Sequence, residues 1–590
     1  MAQITKDQIA DILESIAQML EIKGENVFKI RAYTNAARAL ETYTGDIAVA
    51  AGEGRLGEIP GVGKHIAEKI TELVATGQLA YFEILKAEFP PGVFEMFDLQ
   101  GLGPKKIKAL WDKLGITTIP ELEKACKDGR VADLPGFGKK TSDNILAAIQ
   151  SRAKHAGQFR LGSIAADAER MAAELRELPE VFQATVAGSY RRRKEVVGDL
   201  DFIVATNAPE SVSEFFVKHE MVESVIAHGP TKSSVRLKSG IQADLRVIKS
   251  AEYPFALNYF TGSKAHNIIM RQRALARGWT LNEYRLAPLE NPKGESRKPK
   301  ADPPPILDER GLYRALDLDY VEPELREDRG EFAAAEAHTL PDLIDPENLR
   351  GTFHNHTTAS DGRSTLAEMA EAAQELGLQY LGIADHSKSS VQAHGLETDR
   401  LLAQIAEIKA LNETFGGAFR LFAGSEVDIH KDGSLDFPEN VLSRLDYVVA
   451  SIHSSFSLSE AEMTARIIRA MENPYVTMLG HVTGRLLLSR DGYAVNVPAI
   501  IDAAARTGTL IELNANPKRL DMDWRWWPLA KEKGVKCVIN PDAHHTSHLQ
   551  FLHFGIGIAR KGWLTRGDVV NCLPLGKIEA VLAAKRARKK

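Results

Sequence analysis

The sequence predicts a multidomain chain: a helical N-terminal region, an α/β middle and a C-terminal β/α barrel. Three observations carry that reading. Residues 1–150 repeat a Gly-x-Gly turn that opens an amphipathic helix, at GEIPGVGKHIAEKI (57–70), LQGLGPKKIKAL (99–110) and LPGFGKKTSDNIL (134–146). Residues 160–325 alternate strand-like and helical runs, and one strand carries two aspartates spaced by two. Beyond residue 350, short apolar strands alternate with helices and hold eleven of the 17 histidines.

A chain of 590 residues exceeds one hydrophobic core and suggests about three to five domains. Apolar content of 44% with 26% charged residues is that of a globular protein and excludes fibrous and disordered classes. Cys126, Cys537 and Cys572 are odd in number and far apart, which argues against a disulfide framework and for the reducing cytoplasm. The opening MAQITKDQIADILESIAQML reads as an amphipathic helix, not a signal peptide, and no run of about 18 apolar residues follows, so no membrane partner is expected. A net charge of −5 argues against a general polyanion-binding field. Local basic clusters at GPKKIK (103–108) and RRRK (191–194) are where an anion would be gripped.

In the N-terminal repeats, glycine at both ends of the turn lets the backbone approach a ligand, and the following helix offers free N–H groups to an anion. Gly61, Gly63 and Lys64, then Gly101, Gly103 and Lys105, occupy these positions. The repeats resemble helix-hairpin-helix motifs, which hold one strand's phosphates without reading bases.

In VVGDLDFIV (196–204), Asp199 and Asp201 fall on one strand face. Like charges that close repel unless a cation lies between them. Asp244, in the strand-like QADLRVI, is the candidate neighbour. Three carboxylates from two strands suit two hard cations, Mg²⁺ or Mn²⁺, which clamp the attacking and leaving oxygens of a phosphoryl displacement. Just upstream, GSYRRR offers Gly188, Ser189 and the guanidinium forks of Arg191, Arg192 and Arg193 as a phosphate cradle. The Pro- and charge-rich APLENPKGESRKPKADPPP (287–305) reads as a disordered loop, and the polar stretch 327–348 as a linker.

The C-terminal strands YLGIA, YVVASI, VTMLGH, TLIELN and KCVIN are spaced as in a β/α barrel, whose strand ends share one rim. His354 and His356 share a strand face by the i, i+2 rule, and Asp361 follows. His386, Glu426, His453, His481, Asp542 and His544 each follow an apolar run. Imidazoles and carboxylates gathered on one rim suit Zn²⁺, Mn²⁺ or Fe.

GSYRRRKEVVGDLDFIV, QADLRVI and LNYFTGSKAHNIIMRQRALARGWTLNEY together resemble the catalytic core of family X DNA polymerases, the group containing DNA polymerase beta, over residues 1 to about 325. The resemblance implies a nucleotidyltransferase palm and a thumb, with Asp199 and Asp201 binding both metals. Asp244 would complete the catalytic metal site and help to deprotonate the primer 3′-OH. Ser189 and Arg192 match positions that hold the triphosphate; Tyr259, Phe260 and Gly262 match the segment beside the sugar. Asn267 matches a residue at the base's minor-groove edge, and Arg271 one near the template strand. Lys264 departs from the beta enzyme, which has an acidic residue there, and is expected to tighten nucleotide binding. Lys29 and Tyr33 match positions facing a 5′-phosphate, and Lys69 matches the Schiff-base lysine of the lyase site, although His65 replaces a phosphate-binding lysine. A monovalent cation at the helix-hairpin-helix turns is a further candidate.

The C-terminal ligand set resembles the polymerase-and-histidinol-phosphatase (PHP) domain, a distorted β/α barrel whose nine ligands hold up to three metals; none of the matching positions is substituted here. His394, His430, His545, His548 and His553 fall outside that pattern and are weaker candidates for substrate contacts. The expected domains are 1–90 (helical), 91–155 (fingers), 156–250 (palm), 251–326 (thumb), 327–348 (linker) and 349–590 (PHP). The resemblance implies a monomeric, gap-filling repair polymerase acting on gapped or primer-template DNA with deoxynucleoside triphosphates. It also implies manganese-stimulated 3′→5′ exonuclease action, with 3′-phosphatase or abasic-site endonuclease action as variants. The competing readings are a PHP phosphatase for small phosphate esters fused to the polymerase, and a DNA-end scaffold of feeble catalysis.

Overall fold

The computed structural model describes residues 4, 6–43, 46–97, 99, 102–289 and 302–587. Gly101 and the 290–301 part of the expected loop lie outside the described residues. The chain divides into two compact units, Met1–Ala156 and Gly157–Lys590.

The first unit is helical. In the opening helix Lys6–Lys23, Ile9, Leu13, Ile16 and Leu20 recur at helical spacing and are all buried. One apolar core runs from Ile9 through Ile70 and Leu110 to Ile149. The three repeated turns open the helices Lys64–Thr76, Pro104–Leu114 and Gly138–Lys154. Gly61 has φ +95°, a conformation that favours glycine, and packs close to the Asn35 carbonyl.

The second unit begins with a five-stranded sheet in the order Val181–Val186, Asp199–Thr206, Gln242–Ile248, Lys232–Leu237, Val222–Ala227. Only Asp199–Thr206 and Gln242–Ile248 pair in parallel. Helices Leu161–Glu177 and Pro209–Lys218 pack their apolar sides on it. Next come helices Tyr253–Thr261 and Lys264–Ala276, the hairpin Trp279–Leu281 with Leu286–Pro288, and helix Glu309–Ala315, around a separate core that includes Met270, Leu312 and Tyr313. The stretch 327–348, read as a polar linker, is packed instead. Glu331 and Phe332 are buried, and Leu343 pairs with Thr565.

The C-terminal region has two all-parallel sheets. One runs Gly351–Thr352, Tyr380–Ile383, Arg420–Ala423; the other runs Glu426–Asp428, Val449–Ser451, Met478–Leu479, Leu510–Asn514, Cys537–Asn540. Isolated parallel bridges His386–Glu426 and Asn355–Ala543 carry the pairing between the sheets and back to the first strand. Most of these strand residues are buried, as expected of parallel strands covered on both faces. The core of this region is continuous with that of the first sheet, joining Phe202 and Val247 to Ile511 and Phe554.

Candidate active sites

The first site lies on the parallel pair of the five-stranded sheet. Asp201 stands opposite Asp244, and Asp199 opposite Gln242, so the side chains of all four share one face. Gln242 Nε2 donates to Asp244 at 3.2 Å; as a neutral residue in a strand, it gave no signal in the sequence. Burial first, and then Asp199 and Asp244, push the Asp201 carboxyl up to about 7. Burial and Asp244 likewise raise Asp199. A carboxylate cluster with this much mutual repulsion fits divalent cations.

The turn Ala187–Arg192 brings Gly188, Ser189 and Arg192 to the same place. Gly188 has φ +64°, and a Cβ there would come 2.5 Å from Asp201 Oδ2, so only glycine lets the turn close on the carboxylate. Ser189 follows in the short helix Gly188–Arg191, and Arg192 caps it. Arg192 Nη1 donates to Thr261 O at 2.8 Å and Nε to Glu327 at 3.0 Å. The same chain segment holds Tyr259 edge-on to Phe260 at 5.0 Å, and Arg271 stands over the Tyr259 ring at 5.2 Å. Gly262 leaves room for Asn267. The structure turns that amide inward: Asn267 Nδ2 donates to Tyr259 O and Gly262 O. Lys264 is exposed at the first turn of its helix.

The second site gathers the nine C-terminal ligand candidates. His354 and His356 lie just past the two-residue strand Gly351–Thr352, not within it, yet their rings stay 5.2 Å apart. Glu426 is the hub. Its carboxylate oxygens lie 3.3 Å from His354 Nε2, 2.9 Å from His386 Nδ1, 3.3 Å from His453 Nε2 and 3.0 Å from His481 Nε2. Asp542 Oδ1 lies 3.3 Å from His356 Nε2, and Asp361 Oδ1 lies 3.4 Å from His544 Nε2. Ligand atoms form three groups within 4.8 Å: His356, Asp361, His386 and His544; His354, His356 and Asp542; His386, Glu426 and His453. Asp361, His386, Glu426, His453, His481, Asp542 and His544 line a cavity of about 600 Å³, with His354 and His356 fully buried behind them.

The donor set fits metal ions on a second ground. His356 Nδ1 and His481 Nδ1 are buried without a hydrogen-bond partner, a costly state unless a cation takes the lone pair. Burial alone would lower His453, but Glu426 and Asp428 raise it to about 10. Burial, followed by His544 and His386, drives His356 down to about 4.

Comparison with known proteins finds family matches along the chain. Residues 4–79 match a helix-hairpin-helix domain and 94–151 a SAM-like helix-hairpin-helix tandem; 163–249 match the DNA polymerase beta palm, 256–327 the DNA polymerase beta thumb and 352–516 the PHP domain. The DNA polymerase/3′-5′ exonuclease PolX of Bacillus subtilis (strain 168) is 38% identical over 582 residues, 98% of this chain and 99% of that protein. The chain belongs to family X of the DNA polymerases. A probable phosphatase of Thermoanaerobacter sp. (strain X514) is 30% identical over 247 residues, 40% of this chain and 95% of its own length. A solved ternary complex of Leishmania infantum polymerase beta shares 24% identity over 40% of this chain and 98% of its own, at a TM-score of 0.26, too low to carry a structural argument.

In this family X polymerase the PHP match ends at residue 516, so Asp542 and His544 join the site through the fold. Several polar residues around the second site escaped the sequence reading. Glu512 Oε2 lies 2.6 Å from His354 Nδ1, and Asp428 Oδ1 lies 2.9 Å from His453 Nδ1. Arg519 lines the cavity, with Nε 3.4 Å from Asp542 and a buried, unpartnered Nη1. Of the extra histidines, His430 lines the cavity and His548 Nδ1 accepts from the His544 N–H.

In the first unit, Gly63 and Gly103 cap their helices without a side-chain bond. Lys64 and Lys105 are exposed beside them. Lys29 is exposed and pairs with Glu25 at 3.4 Å. Lys69 Nζ stands 4.6 Å from the centre of the Tyr81 ring, which stacks on buried Tyr33. His65 points to solvent. No helix among the described residues is long and apolar enough to cross a membrane.

Proposed function

We propose that this family X polymerase extends a primer 3′ end across short DNA gaps by template-directed nucleotidyl transfer, and trims 3′ ends with its PHP region. The observation that carries the reading is the presence of two separate ligand clusters, one of three carboxylates and one of imidazoles and carboxylates.

Asp199, Asp201 and Asp244 would hold two Mg²⁺ or Mn²⁺ ions, and the PHP ligands up to three Zn²⁺, Mn²⁺ or Fe ions. Divalent ions, when bound, supply positive charge against the charge developing on phosphoryl oxygens. The chain's own groups do the rest. Asp244 accepts the primer hydroxyl proton, Ser189 and Arg192 orient the triphosphate, and Tyr259, Phe260 and Gly262 wall the sugar. Lys264 adds charge near the nucleotide, and Arg271 approaches the template strand. In the PHP site, Asp428 and Glu512 fix which nitrogen of His453 and His354 is turned to Glu426. Arg519, which lines the cavity, meets an oxygen of the scissile phosphate.

The helix N-termini after Gly63 and Gly103, with Lys29, Lys64 and Lys105, hold the DNA backbone, and a monovalent cation can share those turns. Lys69, beside Tyr81 and Tyr33, is the candidate lyase nucleophile. Absence of a borohydride-trapped adduct with a 5′-deoxyribose-phosphate end would remove that assignment. Three buried, free cysteines suit a cytoplasmic enzyme.

The deciding experiment uses a gapped, 5′-phosphorylated duplex with Mg²⁺ or Mn²⁺. Asp201→Ala abolishes extension and spares 3′ degradation, while His354→Ala with His356→Ala does the reverse. Loss of both activities in either variant means the sites are not separable. One observation favours a second reading of the PHP half. A stretch of 247 residues, 40% of the chain, matches 95% of a relative named a probable phosphatase. Turnover of small phosphate esters faster than of DNA 3′ ends would establish that reading.

A further inference from the structure

Lys561 ends the helix Leu552–Lys561 of the PHP region, and its side chain is fully buried. Its ammonium donates to Glu327 Oε1 at 2.6 Å, to Arg192 O at 3.1 Å and to Glu324 O at 3.3 Å, and stands 4.5 Å over the Trp524 ring. All three N–H groups therefore have acceptors, and all three acceptors lie in the polymerase half. The same Glu327 oxygen accepts from Arg192 Nε at 3.0 Å. Arg192 is thus held at Nε by Glu327 and at Nη1 by Thr261 O, which leaves the Nη2 edge of its fork for an anion. Its charge also reaches Asp199 and Asp201.

A buried ammonium is costly unless fully paired, and a buried carboxylate left without its cation costs still more. Without Lys561, Glu327 loses its closest cationic partner, and the guanidinium it steadies loses a fixed direction. We propose that Lys561 and Glu327 are positioning residues for nucleotide binding, so that the PHP region forms part of the polymerase's nucleotide site. The inference rests on the reading of Arg192 as a triphosphate ligand. It extends that reading by making a residue of the nuclease half set the geometry of polymerisation.

The test measures nucleotide KM and kcat on the gapped duplex, with 3′ degradation as a check on the PHP half, in full-length Lys561→Met, Glu327→Gln and Arg192→Ala. Lys561→Met is expected to raise nucleotide KM about tenfold, with kcat within about twofold and 3′ degradation unchanged. Combining it with Arg192→Ala should add little to Arg192→Ala alone, because both act through one guanidinium. A Lys561→Met protein with normal degradation and unchanged nucleotide KM overturns the proposal, as does full additivity with Arg192→Ala. If Lys561→Met does not fold, Glu327→Gln carries the same two criteria. An unchanged KM in Arg192→Ala instead overturns the reading of Arg192 itself.

Discussion

His453 turns Nδ1 to Asp428 at 2.9 Å, and this aims Nε2 at Glu426, 3.3 Å away. The carboxylate takes one ring nitrogen so that the other is presented to the ligand cluster. Asp428→Asn is therefore expected to weaken metal binding in the PHP site by about 10–100-fold and leave primer extension intact. The Mn²⁺ concentration giving half-maximal 3′ degradation, together with bound metal measured by mass spectrometry, checks this. An unchanged manganese requirement would show that Asp428 only supports the loop through Ser390.

Asp201 and Asp244 face each other across parallel strands with Asp199 beside them. In the absence of cations their repulsion works against folding, and burial sharpens it. Asp201→Asn should raise the thermal midpoint in chelator and shrink the gain on adding Mg²⁺. Calorimetry with and without Mg²⁺ decides; an equal gain in both proteins would count against a cation between these groups.

Glu309 is buried between Arg191, at 2.7 Å, and Arg326, at 2.5 Å. Burial alone would raise its carboxyl, but Arg326 and Arg191 outweigh burial and lower it from 4.5 to about 2. A carboxyl with a depressed folded pKa stabilises above its unfolded value and loses that stability as pH falls through the folded one. Glu309 thus contributes on the order of 3 kcal/mol at neutral pH, fully present above about pH 4.5 and lost towards pH 2. Glu309→Gln should be strongly destabilised at pH 7, and its deficit against the native protein should narrow as pH falls. Denaturant melts across that range give the readout, and a pH-independent deficit would contradict the assignment.

Lys264 is exposed at the first turn of its helix. Reversing its charge in Lys264→Asp should weaken nucleotide affinity without DNA by roughly tenfold at low salt, and by less at high salt. Equilibrium titration with a fluorescent nucleotide at two ionic strengths tests both halves of the expectation.

Much of the two sites could be read along the chain. The DLD pair needs only strand periodicity to share a face, and QADLRVI supplies the third carboxylate one strand away. The C-terminal ligands follow short apolar runs, and parallel strands deliver such residues to one end. Other contributors carried no local mark. Gln242, Asp428, Glu512 and Arg519 are single polar residues whose partners are distant in sequence, such as Glu512 with His354, 158 residues away.

Local pattern thus specified the order of strands and helices, the turns that need glycine and most of the ligand candidates, because periodicity and backbone sterics act over a few residues. Tertiary structure alone decided the rest. It packed 327–348 rather than leaving it a free linker, joined the palm sheet and PHP region in one core, and set Lys561 on Glu327 across 234 residues. Buried charges choose partners by proximity in the fold, and no sequence spacing encodes that proximity.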